Sequence, residues 1–364
     1  MIVTSVRVRD FRSYAGAEAH VGPRLTVVHG PNGSGKTNLL EALYFGCTGR
    51  SFRTTNDREL VRFGHSTTRV EVTLEDRDHQ SHLLAVGYSP GEPKHVTLDG
   101  APLERLLDDE RRPLVSVFAP DRLELIKGVP QLRRAHLDQL VGALWPARAA
   151  TRRSYGEALA QRNALLIRVR GGRASADALR AWDLELGRLG IELSANRARA
   201  VDLIAEPFAE HAEALGLEGA VRLAYRPRSR AASAEELAEE IAAALDHDLA
   251  RGYTTFGPHR DELVFRRAGR DLRAYGSQGE QRVALLALLL AERDTLAEQR
   301  DRPPLLLLDD VMSELDARRR EHLAARIAAR GQAVVSATEL AHVPGATEAG
   351  VADIDVGELI AQEA

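Results

Sequence analysis

Residues 30–37 constrain this chain more than any other stretch. They read Gly30-Pro31-Asn32-Gly33-Ser34-Gly35-Lys36-Thr37, after the apolar run Leu25-Thr26-Val27-Val28 and before a stretch of helical character, residues 38–45. Glycines at these spacings let successive backbone N–H groups turn toward one anion; Lys36 adds a compact ammonium and Thr37 a hydroxyl for a divalent cation. A strand, a glycine loop and a helix follow in the order that phosphate binding requires, which a Gly-rich turn in random context lacks. The segment predicts a nucleoside triphosphate site, with Gly30 to Thr37 and Asn38 against the nucleotide.

Basic residues are used unevenly. The chain has 49 Lys plus Arg, yet only Lys36, Lys94 and Lys127 are lysine. A planar guanidinium cannot replace a small ammonium among phosphate oxygens, so lysine kept at position 36 fits the phosphate reading. Lys127 either follows the same logic or is a surface lysine before the turn at Gly128. The formal net charge is −4, so any contact with nucleic acid must come from a local basic face. Cys47 is the one cysteine, which excludes an internal disulfide and a cysteine-rich zinc site. No apolar run approaches the length of a membrane span, and a soluble, cytoplasmic protein is expected.

At 364 residues, two or three domains are expected. The first part of the chain mixes short β-like runs (residues 2–8, 25–28, 70–74, 83–87 and 96–98) with turns such as Asp99-Gly100. From about Gly128 to Arg251 the pattern becomes helical, with Leu179, Trp182, Leu186, Leu189 and Leu193 at helical spacing. Pro146, Gly171-Gly172 and Pro207 punctuate this part into three or four helices, with a β-like stretch at 221–225. After Tyr253 the α/β pattern returns. Residues 305–308 and 333–336 read as buried strands flanking a helix over 317–330.

Two further segments carry chemistry. Leu305 to Leu308 run into Asp309-Asp310, which puts two acids at the carboxyl end of a buried parallel strand, where such sheets bind ligands. Asp309 is expected to hold Mg²⁺ and Asp310 to orient or deprotonate water; the alternative is a strand that ends in a solvated acidic turn. Ser277-Gln278-Gly279-Glu280 opens an apolar helix. Ser277 and Glu280 form a capping-box pattern, and the same exposed N-terminus, with the Ser277 hydroxyl and the Gly279 N–H, is able to grip a γ-phosphate from outside.

Taken together these segments resemble the RecF family, the small SMC-like DNA repair ATPases of bacteria. The resemblance also rests on residues 8–14 (Val-Arg-Asp-Phe-Arg-Ser-Tyr), 36–42 (Lys-Thr-Asn-Leu-Leu-Glu-Ala), 49–54 (Gly-Arg-Ser-Phe-Arg-Thr), 118–120 (Phe-Ala-Pro) with 123–128 (Leu-Glu-Leu-Ile-Lys-Gly), and 254–261 (Thr-Thr-Phe-Gly-Pro-His-Arg-Asp). It implies an α/β fold: an ABC/SMC-like P-loop ATPase head built from both chain ends, 1–128 and 252–364, with a mainly helical lobe, 129–251, inserted. It implies a weak DNA-dependent ATPase that takes ATP and Mg²⁺ and forms a homodimer on ATP. Such proteins bind duplex DNA near single-strand gaps, independently of sequence, and act with RecR and RecO to load RecA. Carried to this chain, Lys36 and Thr37 take phosphate and metal, Asp309 the metal, Asp310 the water and Ser277 the γ-phosphate of the opposing subunit. Arg12 matches a basic residue that lies by the nucleotide in similar heads, and is otherwise a surface arginine.

The chain departs from the family at Asp121-Arg122, where Glu then Asp is usual, and at Gly276, where alanine is usual. Arg133, Arg134, Arg148, Arg152, Arg153, Arg162, Arg168, Arg170 and Arg173 are either a phosphate-neutralising face or a solvated one. A transporter ATPase subunit would share the three nucleotide motifs but lack the helical insertion. Another SMC-like ATPase would carry a longer coiled coil. An ATP-assembled DNA clamp with negligible turnover has the same residues.

Overall fold

The structure is a computed structural model, and it describes residues 1–109 and 111–361. The chain divides into two compact units: one of residues 1–123, 214–216 and 296–364, the other of 124–213 and 217–295.

The first unit holds two sheets. One is a six-stranded antiparallel sheet in the order Tyr14–His20, Ile2–Phe11, Thr68–Glu75, Ser81–Tyr88, His95–Leu98, Ala101–Pro102. The other is a five-stranded sheet, parallel throughout, in the order Ala352–Asp355, Leu25–His29, Ala333–Ala337, Leu305–Leu308, Val115–Phe118. All four leucines of Leu305–Leu308 are buried, as expected of a parallel strand covered on both faces. The helix Lys36–Thr48 is buried nearly all round, and its Leu39, Leu40, Leu43 and Phe45 share one core with Val6, Val8, Val70 and Val72 of the antiparallel sheet and Val28, Leu307 and Val334 of the parallel one. Gly46 permits this closeness: a Cβ there would lie 2.4 Å from Cγ2 of Val72.

The strands expected from sequence are present, and six more accompany them among the described residues, two of which, Ala101–Pro102 and Arg270–Asp271, are two-residue pairs. Tyr14–His20 and Ala352–Asp355 lack a strong β pattern and are placed by pairing with Ile2–Phe11 and Leu25–His29, whereas Val115–Phe118 and Glu262–Arg267 are short runs of β-prone Val, Leu and Phe.

The second unit is mainly helical, with the three-stranded sheet Arg270–Asp271, Glu262–Arg267, Val221–Arg226. Between 129 and 251 the described residues form five α-helices rather than three or four: Pro130–Leu144, Ala149–Arg170, Arg180–Ala214, Ala234–Ala243 and Leu245–Arg251. Pro207 does not end a helix. It lies inside Arg180–Ala214, between the buried Ile204 and Phe208, and this packing outweighs a local cost of about 3 kcal/mol for an interior proline. The chain returns to the first unit at Leu296, within the helix Gln278–Arg300, whereas the change in sequence pattern falls at 252. The reason is local: Glu262–Arg267 pairs with Val221–Arg226, which keeps the intervening segment in the helical unit. Among the described residues no helix is long and apolar enough to cross a membrane.

Candidate nucleotide site

Because the five-stranded sheet is parallel, the carboxyl ends of its strands share one edge. The glycine loop leaves Leu25–His29 there, and Asp309-Asp310 leave Leu305–Leu308, with Ala333–Ala337 between them. The loop requires its glycines: Gly30, Gly33 and Gly35 have φ of 146°, 81° and 111°. Lys36 is buried, and its Nζ donates to the carbonyl oxygens of Gly30 at 2.7 Å and Pro31 at 2.9 Å. The ammonium thus closes the loop upon itself while meeting only neutral acceptors. Burial pulls its pKa below the ordinary lysine range, and Asp310 and Asp309 oppose that shift.

The acids are joined to the loop by hydroxyls. Thr37 Oγ1 donates to both carboxylate oxygens of Asp309, at 3.0 and 2.9 Å, and Ser336 Oγ donates to Asp309 Oδ1 at 2.8 Å. The Asp310 N–H in turn donates to Ser336 Oγ at 2.9 Å, so Ser336 bridges the two acids. Asp310 has φ 50°, a left-handed backbone that non-glycine residues adopt at a cost and that here carries its side chain off the strand end. Burial raises the pKa of Asp309 above the ordinary carboxylate value; the hydrogen bonds from Ser336 and Thr37 work against this, and the neighbouring Asp310 adds to it.

A hydroxyl and a carboxylate are hard oxygen donors that suit Mg²⁺, which keeps waters and phosphate oxygens as its other ligands and needs no all-protein cage. Among the described residues no group of three or more His, Cys, Asp and Glu could hold a metal. Ser34 Oγ, in the loop, is a buried hydroxyl with no partner, consistent with a cradle whose acceptor is a ligand.

Arg12 reaches the same helix from the turn after Ile2–Phe11. It donates twice to the fully buried Glu41, from Nε at 2.9 Å and Nη2 at 2.8 Å, and Arg53 Nη1 donates to Glu41 at 3.2 Å and to Asn38 Oδ1 at 2.9 Å. Asn38 Nδ2 donates to Ser13 Oγ at 2.9 Å. The segments 10–14 and 49–54 therefore clamp the loop helix, with Glu41 as their common anchor. Sequence reasoning assigned no role to Glu41, Arg53 or Ser336; a glutamate at an otherwise apolar helix position was the one available signal.

Ser277 and Gly279 are exposed and belong to the other compact unit. The capping box is formed: the Glu280 N–H donates to Ser277 Oγ at 3.3 Å, and Glu280 Oε2 accepts from the Ser277 N–H at 2.8 Å. Gly279 has open space around its Cα. The side chain of Asp121 lies outside the described residues; Arg122 donates to the Tyr44 hydroxyl at 3.2 Å. Of the nine arginines in the helical part, Arg133 and Arg162 are not surface groups at all. Both are buried, Arg133 against Glu262 and Arg162 against Asp183 and Asp248.

With this geometry established, the likenesses to known proteins are specific. Residues 2–350 match the model of the RecF/RecN/SMC N-terminal domain. A DNA replication and repair protein RecF from Anaeromyxobacter sp. (strain Fw109-5) is 41% identical over 350 residues, covering 93% of each chain. The chain belongs to the RecF family. The RecF of Streptomyces avermitilis is 38% identical over 361 residues, covering 95% of each chain. Among solved structures, the recombination mediator protein RecF with ATP, of the RecFOR pathway, superposes with a TM-score of 0.84 at 27% identity, covering 93% of this chain and 92% of that one. An SMC head bound to the C-terminal winged-helix domain of ScpA gives a TM-score of 0.58 at 18% identity, a likeness of fold alone. The α/β architecture read from the motifs is thus the ABC/SMC-like head fold of this family.

Proposed function

We propose that the chain is an ATP-dependent DNA-binding protein of recombinational repair and replication restart. In this reading it engages duplex DNA near single-strand gaps without regard to sequence, dimerises on ATP, hydrolyses it slowly and in a DNA-dependent manner, and works with RecR and RecO to load RecA. The head function is assigned to 1–128 and 252–364, and 129–251 is the helical lobe. The observation that carries the proposal is the linkage Thr37–Asp309–Ser336–Asp310 beside a lysine that meets no carboxylate, within a chain of the RecF family.

Each residue has a distinct task. Gly30 to Gly35 and Asn38 shape the cradle, and the Lys36 ammonium follows charge as it develops on the transferred phosphoryl. Thr37 and Asp309 would hold Mg²⁺, which supplies neutralisation of the β- and γ-phosphate oxygens when bound. Asp310, free of the Thr37 hydroxyl, accepts a proton from the attacking water. Arg12, fixed by Glu41, borders the nucleotide. Ser277 and the Gly279 N–H close on the γ-phosphate held by the partner subunit, so nucleotide joins two copies.

The test is sedimentation with and without ATP and gapped duplex. The wild type should dimerise on ATP, and Ser277→Arg should bind ATP as a monomer while forming no ATP-dependent dimer. Dimers of the variant at saturating ATP would leave Ser277 as a helix cap and nothing more.

A further inference from the structure

The segment Thr254–Asp261 builds a corner in the second unit. The Thr254 hydroxyl accepts from buried Arg162 at 2.8 Å, and its N–H donates to Asn163 Oδ1 at 2.8 Å. The Thr254 carbonyl can only accept, so His259 Nε2, 3.0 Å away, carries the hydrogen and Nδ1 accepts from the Tyr155 hydroxyl at 2.9 Å. Gly257 turns the chain at φ 128°, where a Cβ would lie 2.8 Å from the Tyr155 oxygen. Arg197 holds the Pro258 carbonyl at 2.8 Å, and buried Asp261 accepts from the Arg228 N–H at 2.7 Å and from the Tyr225 hydroxyl. Within this fixed frame Arg260 alone points to solvent, its guanidinium 5.3 Å from the ring centre of Tyr253.

Three more arginines stand at the turns 171–172 and 252, which adjoin one another. Arg251 precedes the turn at Gly252, and Arg170 covers that turn: a Cβ on Gly252 would lie 3.2 Å from Arg170 Nη1. Arg173 folds back at the end of the same helix, its N–H donating to the Arg168 carbonyl at 2.8 Å. Arg170, Arg173, Arg251 and Arg260 are all exposed, and none makes a hydrogen bond or ion pair through its side chain among the described residues. Some exposed arginines elsewhere are paired: Arg7, Arg77, Arg111 and Arg188 each meet a carboxylate at about 2.7 Å or less, whereas others, such as Arg9, Arg168 and Arg226, are exposed without a side-chain partner among the described residues.

We infer that Arg170, Arg173, Arg251 and Arg260, with Tyr253 beside Arg260, form the surface that takes the phosphate backbone of nucleic acid. The inference rests on the DNA-binding reading and gives it a location. In a chain of net charge −4, four exposed guanidiniums without side-chain partners on adjoining turns are a local anion surface and not the trace of a general field. The partner is a phosphodiester backbone because nothing here is arranged to read bases: the donors sit on turns and a helix end, and the one aromatic ring is engaged by Arg260. The rigid corner presets Arg260, so little ordering accompanies binding.

Fluorescence anisotropy with gapped duplex over a salt series tests this. Arg170→Glu with Arg260→Glu should weaken binding at least about tenfold near physiological salt and lower the slope of log affinity against log salt by roughly 0.9 for each phosphate no longer neutralised. Arg188→Glu changes charge on the same unit at a paired arginine and should leave both near wild type. Melting temperature and ATP turnover without DNA should be unchanged in both variants. If the double variant does not fold, Arg173→Glu and Arg251→Glu singly should each lower the slope by about 1. A wild type that does not bind DNA defeats the underlying reading. A wild type that binds, with a double variant indistinguishable from Arg188→Glu, overturns the location alone.

Discussion

Lys36 and Arg162 are both buried cations, and their neighbours differ in kind. Arg162 has no exposed surface and donates to Asp183 at 2.7 Å, Asp248 at 2.6 Å and the Thr254 hydroxyl at 2.8 Å. Lys36 donates to two backbone carbonyls, which orient it without neutralising it. A buried cation matched by carboxylates has spent its charge on the fold, whereas one matched by neutral dipoles still attracts an anion from outside. Two groups that are alike in composition thereby separate into a structural tie and a ligand-binding group.

The largest expected effect follows from breaking the first of these. Arg162→Met should destabilise the protein by about 3–5 kcal/mol, because Asp183 and Asp248 are left as buried charges without a partner. Lys36→Arg should change urea stability far less, yet abolish ATP turnover, since a planar fork cannot track the transferred phosphoryl. Equal losses of stability in the two variants would erase the distinction.

His259 sharpens the comparison as a third outcome, a partly buried base that sheds its proton. Burial pulls its pKa down to about 4, from an ordinary value of about 6.5. Between those values the unfolded chain binds the proton and the folded chain does not. Stability is therefore fully present above about pH 6.5 and falls by about 3 kcal/mol as the pH drops toward 4. His259→Gln, which keeps a donor and an acceptor, should flatten that part of the urea-midpoint profile. An unchanged pH dependence in the variant would contradict the assignment of His259 as neutral.

Lys36 was legible from sequence because its role is set by contiguous residues: strand, glycines, lysine and threonine lie within one short run. Arg162 was read with the basic surface because its partners come from positions 183, 248 and 254. A signal existed. Tyr155, Ala158, Arg162 and Leu166 follow one another at helical spacing and all are buried, so Arg162 falls on the apolar stripe of its helix. No comparable signal marks the strand Tyr14–His20, whose Ala15, Gly16 and Ala17 have little β preference and which exists through its pairing with Ile2–Phe11. Thr254–Asp261 resembled its family without disclosing a role, because every contact that fixes it comes from another element. Asp309 and Asp310 could be seen as a pair, but Ser336, which distinguishes them by donating to one and accepting from the other, lies on a separate strand.

That difference between the two acids carries the central claim, that this strand end holds the metal at one residue and activates water at the next. Asp309→Asn should weaken Mg²⁺-dependent ATP binding, and with it the ATP-dependent dimer. Asp310→Asn should bind ATP and then hold the dimer closed. The measurement is dimer lifetime on gapped DNA after excess ATP is removed: short or undetectable for Asp309→Asn and longer than wild type for Asp310→Asn. Wild-type lifetimes and turnover in both variants would contradict the account.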